Sequence, residues 1–487
     1  MRFFGNLKHL RQSFCSMIST KATTTNESNP LIVIIGATGC GKTKLSLELA
    51  KHYKNVEIIS ADSMQIYKGL DIATNKVLPN EMKQIPHHLI DMIDPFQQFT
   101  VLDFQKLALK SIDQIISKSK IPIIVGGTNY YIESILWDTL VGSKEQKISD
   151  DKEFKIENDE NGNHSEILAN EIETINDLLQ KPKLTYRNLR SISNEKLYEF
   201  LKEIDPESAN ILHLHNRRKV IRCLQVYQQT GRRMSQILKE QRSQNGSRHG
   251  GPLRFKNSII LWVDCDKQIL EKRLDERVDQ MIRQGLLNEL SEFHRNYNSK
   301  RFDDDKKADY TEGIFQAIGL KEFHNYLLMN EEERHSYDGQ LKLGYGILML
   351  KQRTRSYVNK QNKWIRRRFL ISENIRKVPN VYRLDTTNLD EWNEKVLDHS
   401  IWIVDQYLQA SISTPSKCEQ IFHSLDQLAI RKMPNSNDDN NDENDSFISG
   451  QFYCDICQIR ISGGKSYQEH LQSKKHRYQI QQSKLTV

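Results

Sequence analysis

The sequence predicts an α/β protein: a parallel sheet core with a helical insertion and a basic helical region, then a small separate unit at the carboxyl end. Three observations predict it. Short β-rich apolar runs alternate with helix-patterned stretches, the arrangement of parallel strands joined by helical crossovers. A glycine-rich octapeptide, Gly36-Ala37-Thr38-Gly39-Cys40-Gly41-Lys42-Thr43, separates the first such run from the first helix. Near the end, Cys454, Cys457, His470 and His476 stand at metal-ligand spacing.

Taken in order, residues 1–29 read as a mitochondrial targeting segment. They carry Arg2, Lys8, Arg11 and Lys21 among Ser and Thr, with no acid before Glu27. Initiation at Met17 would trim most of that charge, so both mitochondrion and cytoplasm are expected, with the nucleus as a further compartment. Residues 30–140 hold the first part of the core. Strands are expected at Leu31–Ile35, Val56–Ile59 and Ile121–Val125, with helices at Lys42–His52 and Val101–Ser117. A charged, weakly periodic stretch from Val141 to Leu179 opens a mainly helical insertion, placed at 141–207 and containing an amphipathic helix at Asn194–Ile204. The rest of the core is placed at 208–410. It includes a helix at Arg217–Thr230, a strand at Ser258–Val263, a helical block from Gln268 to Phe293 and a basic one from Leu341 to Phe369. Residues 411–449 form an acidic linker, where the Asp- and Asn-rich run from Asn435 to Ser446 has almost nothing to bury. The last unit is 450–487.

Composition narrows the class. The chain has 487 residues, enough for two or more cores without disulfides. Only Cys454 and Cys457 of its seven cysteines are closely paired, which suits a reducing compartment. No apolar run approaches the roughly 20 residues that span a bilayer, so no membrane partner is expected. The formal net charge of +7 is concentrated at Arg217-Arg218-Lys219, Lys351 to Lys363 and Arg366-Arg367-Arg368, as a phosphate-rich partner requires.

The octapeptide matches G-x-x-x-x-G-K-[ST] between a strand and a helix, the context of a P-loop. Its glycines let backbone N–H groups face phosphate oxygens, Lys42 adds a point charge, and Thr43 can hold Mg²⁺. The motif grips phosphates alone, so a nucleoside triphosphate or a prenyl diphosphate fits. Asp264, ending a later strand, keeps open a P-loop kinase or nucleotide hydrolase acting on RNA. Asp62, after the second strand, faces the same crevice and reads either as a general base for an attacking amine or as a helix cap. Gln65 offers a donor and an acceptor to a base edge.

These pieces, with Pro86-His87-His88-Leu89-Ile90-Asp91, Gly126-Gly127-Thr128-Asn129-Tyr130-Tyr131, Asn216 to Arg222, Arg277-Val278-Asp279, Ile314 to Gly319 and Thr354-Arg355, resemble the tRNA dimethylallyltransferase (isopentenyltransferase) family. The match runs from about Pro30 to Trp364. The resemblance implies transfer of a dimethylallyl group from dimethylallyl diphosphate to N6 of the adenosine 3′ of the tRNA anticodon. It implies Asp62 as general base, Ser63, Met64 and Gln65 around the flipped adenine, and Thr38, Lys42 and Thr43 on the diphosphate. Thr128 then stands near the reacting centre, and Arg222, with Arg218 one turn away, stabilises the leaving diphosphate. Gln316, Arg353, Arg355 and Lys360 are the expected contacts to the anticodon stem-loop, with Lys363 and Arg366 beside them. Two positions depart from the family pattern: Asn359, where a basic pair usually precedes Gln361, and Leu320, where an aromatic is frequent. A monomer is expected.

Cys454-x2-Cys457, twelve intervening residues to His470 and five more to His476 suit a Cys2His2 zinc finger. The run Glu469 to His476 resembles matrin-type fingers of RNA-binding proteins, and Lys474, Lys475 and Arg477 make RNA the expected partner.

Overall fold

The computed structural model describes residues 30–138, 174–181, 184, 189–243, 246–247, 249–298, 310–371, 375–412, 429, 451–457, 459–462, 464–473 and 476–477. The targeting segment with Met17, most of the charged stretch after Val141, nearly all of the acidic linker, and Lys474 and Lys475 lie outside the described residues. Two compact units emerge. One takes the chain up to Thr139 and from Ser247 to Lys432; the other takes Leu140–Gly246 and the carboxyl end.

The first unit is built on six strands: β1 (Leu31–Gly36), β2 (Val56–Ser60), β3 (His87–His88), β4 (Ile121–Val125), β5 (Ser258–Asp264) and β6 (Asn380–Asp385). All pair in parallel, in the order β3-β2-β4-β1-β5-β6. Every residue of β1 and β5 is buried, because a parallel sheet covered on both faces needs continuous apolar runs. β1 lies between β4 and β5: the chain first runs from β1 toward β2 on one side and later crosses from β4 to β5 on the other. That switch point opens a crevice at the carboxyl ends of β1, β2 and β4. β3 and β6 escape a sequence reading for a physical reason. β3 has two residues, and β6 is an edge strand whose exposed Arg383 and Asp385 interrupt its apolar pattern.

One face of the sheet packs Ile32, Ile34, Ile58, Ile123, Leu261 and Leu384 under helix Lys42–His52 and helix His399–Ile412, which contributes Ile403, Val404 and Tyr407. Helix Val101–Ser117 starts where Thr100 accepts the Asp103 N–H and Asp103 accepts the Thr100 N–H, a reciprocal cap. The expected block Gln268–Phe293 is two helices, Lys267–Arg283 and Leu286–Phe293, broken at Gly285 with φ +98°. The basic block is one 32-residue helix, Tyr337–Arg368, which begins where Ser336 Oγ accepts the Gly339 N–H at 3.1 Å.

Its last turn is anchored by charge. Glu133, fully buried on helix Asn129–Leu136, receives Arg368 Nη2 at 2.9 Å and Arg376 Nη1. The Arg376 guanidinium lies 3.6 Å from the Trp137 ring centroid.

In the second unit, helices Asn194–Ile204, Pro206–Ile211 and Arg217–Thr230 share a core of Leu197, Tyr198, Leu201, Val220 and Leu224. Helix Arg217–Thr230 therefore shares the core of the helical insertion, in a unit that takes Leu140–Gly246. The finger pairs β7 (Gln451–Cys454) antiparallel with β8 (Ile459–Ser462) before helix Gly464–Leu471. Among the described residues, no helix is long and apolar enough to cross a membrane.

Glu133→Gln leaves two arginines without their counter-charge, at a cost of roughly 3–5 kcal/mol. The denaturant midpoint of the sheet unit should fall accordingly, and an unchanged midpoint would show that the cluster contributes nothing.

Candidate active site and metal centre

The crevice predicted from strand order is a cleft of about 380 Å³. The phosphate loop supplies Thr38, Gly39, Gly41, Lys42 and Thr43. Asp62 and Gln65 follow β2, Gly126 and Gly127 follow β4, and Arg273 and Arg277 come from helix Lys267–Arg283.

The loop is held from behind. Gly41 sits at φ +94°, and a Cβ there would lie 2.8 Å from the Trp392 ring. Trp392 is fixed by its own indole N–H, which donates to Glu48 at 2.7 Å, and Lys44 lies over its ring. Lys42 donates to the Ala37 carbonyl at 2.8 Å, leaving two of its three protons for a ligand. Burial pulls the Lys42 ammonium below the usual lysine value, partly opposed by Cys40 and Asp62. Cys40 is buried, and desolvation pushes its thiol up to about 12, so it is an inert packing group.

Asp62 realises both of its sequence readings. Its Oδ1 accepts the Met64 N–H at 2.9 Å and the Gln65 N–H at 3.4 Å, in a cap-like turn. No described residue donates to Oδ2, and the carboxylate lines the cleft. It interacts electrostatically with Lys42 and with Arg277, whose guanidinium makes no hydrogen bond to any described residue. Burial lowers the Arg277 pKa, with Asp62 opposing the shift. Two desolvated cations, Lys42 and Arg277, thus face a cleft with one nearby carboxylate, an arrangement that stabilises a bound polyanion. Arg273, one turn away, is spent on the Thr386 and Thr387 carbonyls at 2.7 Å each.

Thr128 Oγ1 accepts the Ser63 N–H at 3.1 Å and lies 3.3 Å from Ser63 Oγ, so it ties the β4 turn to the β2 turn. Tyr357 packs its hydroxyl against Thr128 and Gln361, and burial pushes it up to about 12, so it remains a neutral donor. Gln65 is not free to read a base: its Oε1 accepts from Ser60 Oγ at 3.1 Å, and its Nε2 donates to the Thr74 and Asn75 carbonyls at 3.1 and 3.0 Å.

Other expected residues are dispersed. Ser63 and Met64 are half-buried beside Asp62, and Gln316 is exposed. Arg353 and Lys360 are exposed on the long helix, whereas Arg355 is paired with Asp275 at 2.7 Å and staples that helix to Lys267–Arg283. Arg218 and Arg222 sit on helix Arg217–Thr230, in the second unit. Arg217 is a structural cation of the insertion, donating to Asn194 at 2.8 Å and to the Leu189 carbonyl. Asp264 is 5% exposed and paired with Arg383 at 2.8 Å, so its carboxylate is committed away from a metal shell. Sequence reasoning missed Arg277, which stands beside Asp279 in a short motif with no sign of its charge partner, and Gln361, which touches both cleft turns.

In the finger, one ligand atom from each of Cys454, Cys457, His470 and His476 lies within 4.8 Å of the others. His476 Nδ1 is 3.5 Å from Cys454 Sγ and 3.3 Å from Cys457 Sγ. Two thiols and two imidazoles gathered this closely suit tetrahedral zinc.

Gly41→Ala forces a side chain into left-handed backbone and against Trp392. About 1.4 kcal/mol of the resulting strain weakens binding of inorganic diphosphate tenfold. Calorimetric titration checks this; unchanged affinity would show that the loop is not held at Gly41.

The family model described as IPP transferase matches residues 65–368, and one described as zinc-finger of C2H2 type matches residues 452–476. The tRNA dimethylallyltransferase of Mus musculus is 39% identical over 453 residues, covering 93% of this chain and 86% of that protein. The Bacillus subtilis (strain 168) tRNA dimethylallyltransferase is 34% identical over 347 residues, covering 71% and 91%. A crystal structure of a eukaryotic dimethylallyltransferase acting on tRNA superposes with a TM-score of 0.70 at 27% identity, covering 94% of this chain and 98% of that one. The cleft at the β1 switch point and the Cys2His2 cluster thus stand in a chain that belongs to the IPP transferase family.

Proposed function

We propose that this chain transfers a dimethylallyl group from dimethylallyl diphosphate to N6 of the adenosine 3′ of the anticodon in tRNA, giving N6-isopentenyladenosine and diphosphate. One observation carries the reading: a single carboxylate, Asp62, with one oxygen held by its turn and the other facing a cleft that two desolvated cations share with a phosphate loop. Asp62 Oδ2 takes the proton that the adenosine amine loses as its nitrogen bonds to the allylic carbon. The carbon–oxygen bond to diphosphate breaks with its electron pair, and the charge that develops is met by the loop N–H groups, Lys42 and Arg277. Arg277 is assigned this role beside the expected Arg222 and Arg218, because it lines the cleft and makes no hydrogen bond among the described residues. Thr128 acts beside this centre, fixing Ser63 where the base enters.

The Thr43 hydroxyl lines the same cleft, and an oxygen donor of that kind suits Mg²⁺ shared with diphosphate. When bound, the ion adds positive charge at the leaving group. The exposed Arg353, Lys360, Lys363 and Arg366 supply phosphate contacts to the anticodon stem-loop, which offset part of the unstacking of the target base. The finger adds a further RNA contact, with Arg477 and its sequence neighbours Lys474 and Lys475 as the cations. The protein acts as a monomer, in the mitochondrion and cytoplasm, with the nucleus as a further site. Against a kinase or hydrolase stands the pairing of Asp264 with Arg383.

Labelled dimethylallyl diphosphate should transfer to unmodified tRNA with label at adenosine N6, unaffected by ATP, and Asp62→Asn should slow transfer by roughly 10²–10⁴. ATP turnover without label transfer would instead favour the hydrolase reading. Arg277→Ala should lose about 10²-fold or more in transfer; a larger loss for Arg222→Ala would return the leaving-group role to the insertion helix. Chelation of zinc should unfold the finger while the sheet unit stays folded, seen as loss of finger signals alone in NMR spectra. Concerted loss of all signals would contradict this independence.

A further inference from the structure

Gln361 lies on the long helix and is 4% exposed. Both ends of its amide are spent on the turns that form the cleft. Oε1 accepts the Thr38 N–H at 2.9 Å, and Nε2 donates to the Gly127 carbonyl at 2.9 Å. Its own backbone carbonyl accepts from Asn129 Nδ2 at 3.3 Å. The partners decide the amide orientation, because a peptide N–H only donates and a peptide carbonyl only accepts. Glutamate at this position could not donate, methionine could do neither, and lysine could not accept. Gly127 comes so close that a Cβ there would collide with Gln361 Nε2. The neighbouring Lys360 and Lys363 are exposed, so the same turns of helix present their cations to solvent and their amide to the two turns that border the cleft.

We propose that Gln361 is a positioning residue for the transfer reaction, one that sets the separation between the phosphate loop and the Gly126–Thr128 turn. The inference rests on the prenyl-transfer reading for its reaction, but its geometry does not. Gln361 is not among the residues lining the cleft, so it acts through Thr38 and Gly127. A shift of these turns misplaces the donor against Asp62 and Thr128 and leaves the exposed basic face of the helix unchanged. A merely structural residue of the helix would weaken both functions together.

The test compares the full-length wild type with Gln361→Met, which keeps the volume and removes both hydrogen bonds to the turns together with the contact from the Tyr357 hydroxyl. Val358→Ala trims the packing of the same helix and is the matched control. Donor kcat/KM should fall about 100-fold in Gln361→Met, with kcat and donor KM both changed, while Val358→Ala stays within about threefold. Affinity for an anticodon stem-loop RNA should stay within about twofold. Gly127→Ala should be impaired alone and no worse when combined with Gln361→Ala, because the two act as one unit. Donor kinetics in Gln361→Met within about threefold of wild type, or RNA affinity falling in parallel with them, would overturn the proposal. Titration with inorganic diphosphate separates the two failures. A wild type that binds diphosphate without transferring label, with binding weakened in Gln361→Met, overturns the transfer reading and supports the positioning role.

Discussion

A phosphate loop has to be rigid while the groups that hold its ligand are left without protein partners. Its inward N–H groups can bind phosphate only if no protein acceptor takes them, so the loop has to be fixed at other points and from outside. Here the outside supports come from distant parts of the chain. Trp392 closes on Gly41 from beyond β6, Gln361 takes the Thr38 N–H from the long helix, and Lys42 turns back to the Ala37 carbonyl. Much of the first unit is arranged to bring these supports to the carboxyl end of β1. The edge strand β6 leads into the Trp392 segment, and the Glu133 cluster pins the end of the helix that bears Gln361.

Charge is divided by the same logic. Asp62 gives one oxygen to its own turn, which fixes the carboxylate, and keeps the other toward the cleft. Lys42 and Arg277 are held in a desolvated setting that a polyanion relieves. The basic helix divides its cations between two tasks. Lys351 and Arg355 pair with Asp279 and Asp275 and bind the helix to its neighbour, and the exposed Arg353 reaches Glu322 at 3.8 Å, whereas Lys360, Lys363 and Arg366 face solvent. Sequence spacing could not separate these groups, because the acidic partners lie some 70 to 80 positions away (279 to 351 and 275 to 355) on another helix.

The legible parts of this protein were those with local causes. Helix Lys42–His52 follows from a glycine loop and an apolar stripe, and strand Ile121–Val125 follows from a β-rich run before two glycines. The finger ligands were legible from spacing alone, since a tetrahedral site closed by a hairpin and a helix allows few separations. Strand β6 and the reach of the insertion were not, because an edge strand carries polar residues and helix Arg217–Thr230 reveals its partners only in a shared core. At the site, Asp62 and Lys42 were readable because motif and strand end coincide. The engagement of Gln65 was not readable, because three contacts with its own neighbourhood hold its amide.

By itself, the sequence determined that a parallel sheet carries a phosphate loop, that an acid follows the second strand, and that four zinc-type ligands close the chain. These are set by period, turn chemistry and short spacing, all of which act within a few residues. Only the tertiary structure decided which arginine faces the cleft, which amide is already spent, and which cations of the long helix remain in solvent. Those outcomes depend on desolvation and on hydrogen-bond partners hundreds of residues apart, as with Thr38 and Gln361, and no local pattern encodes them.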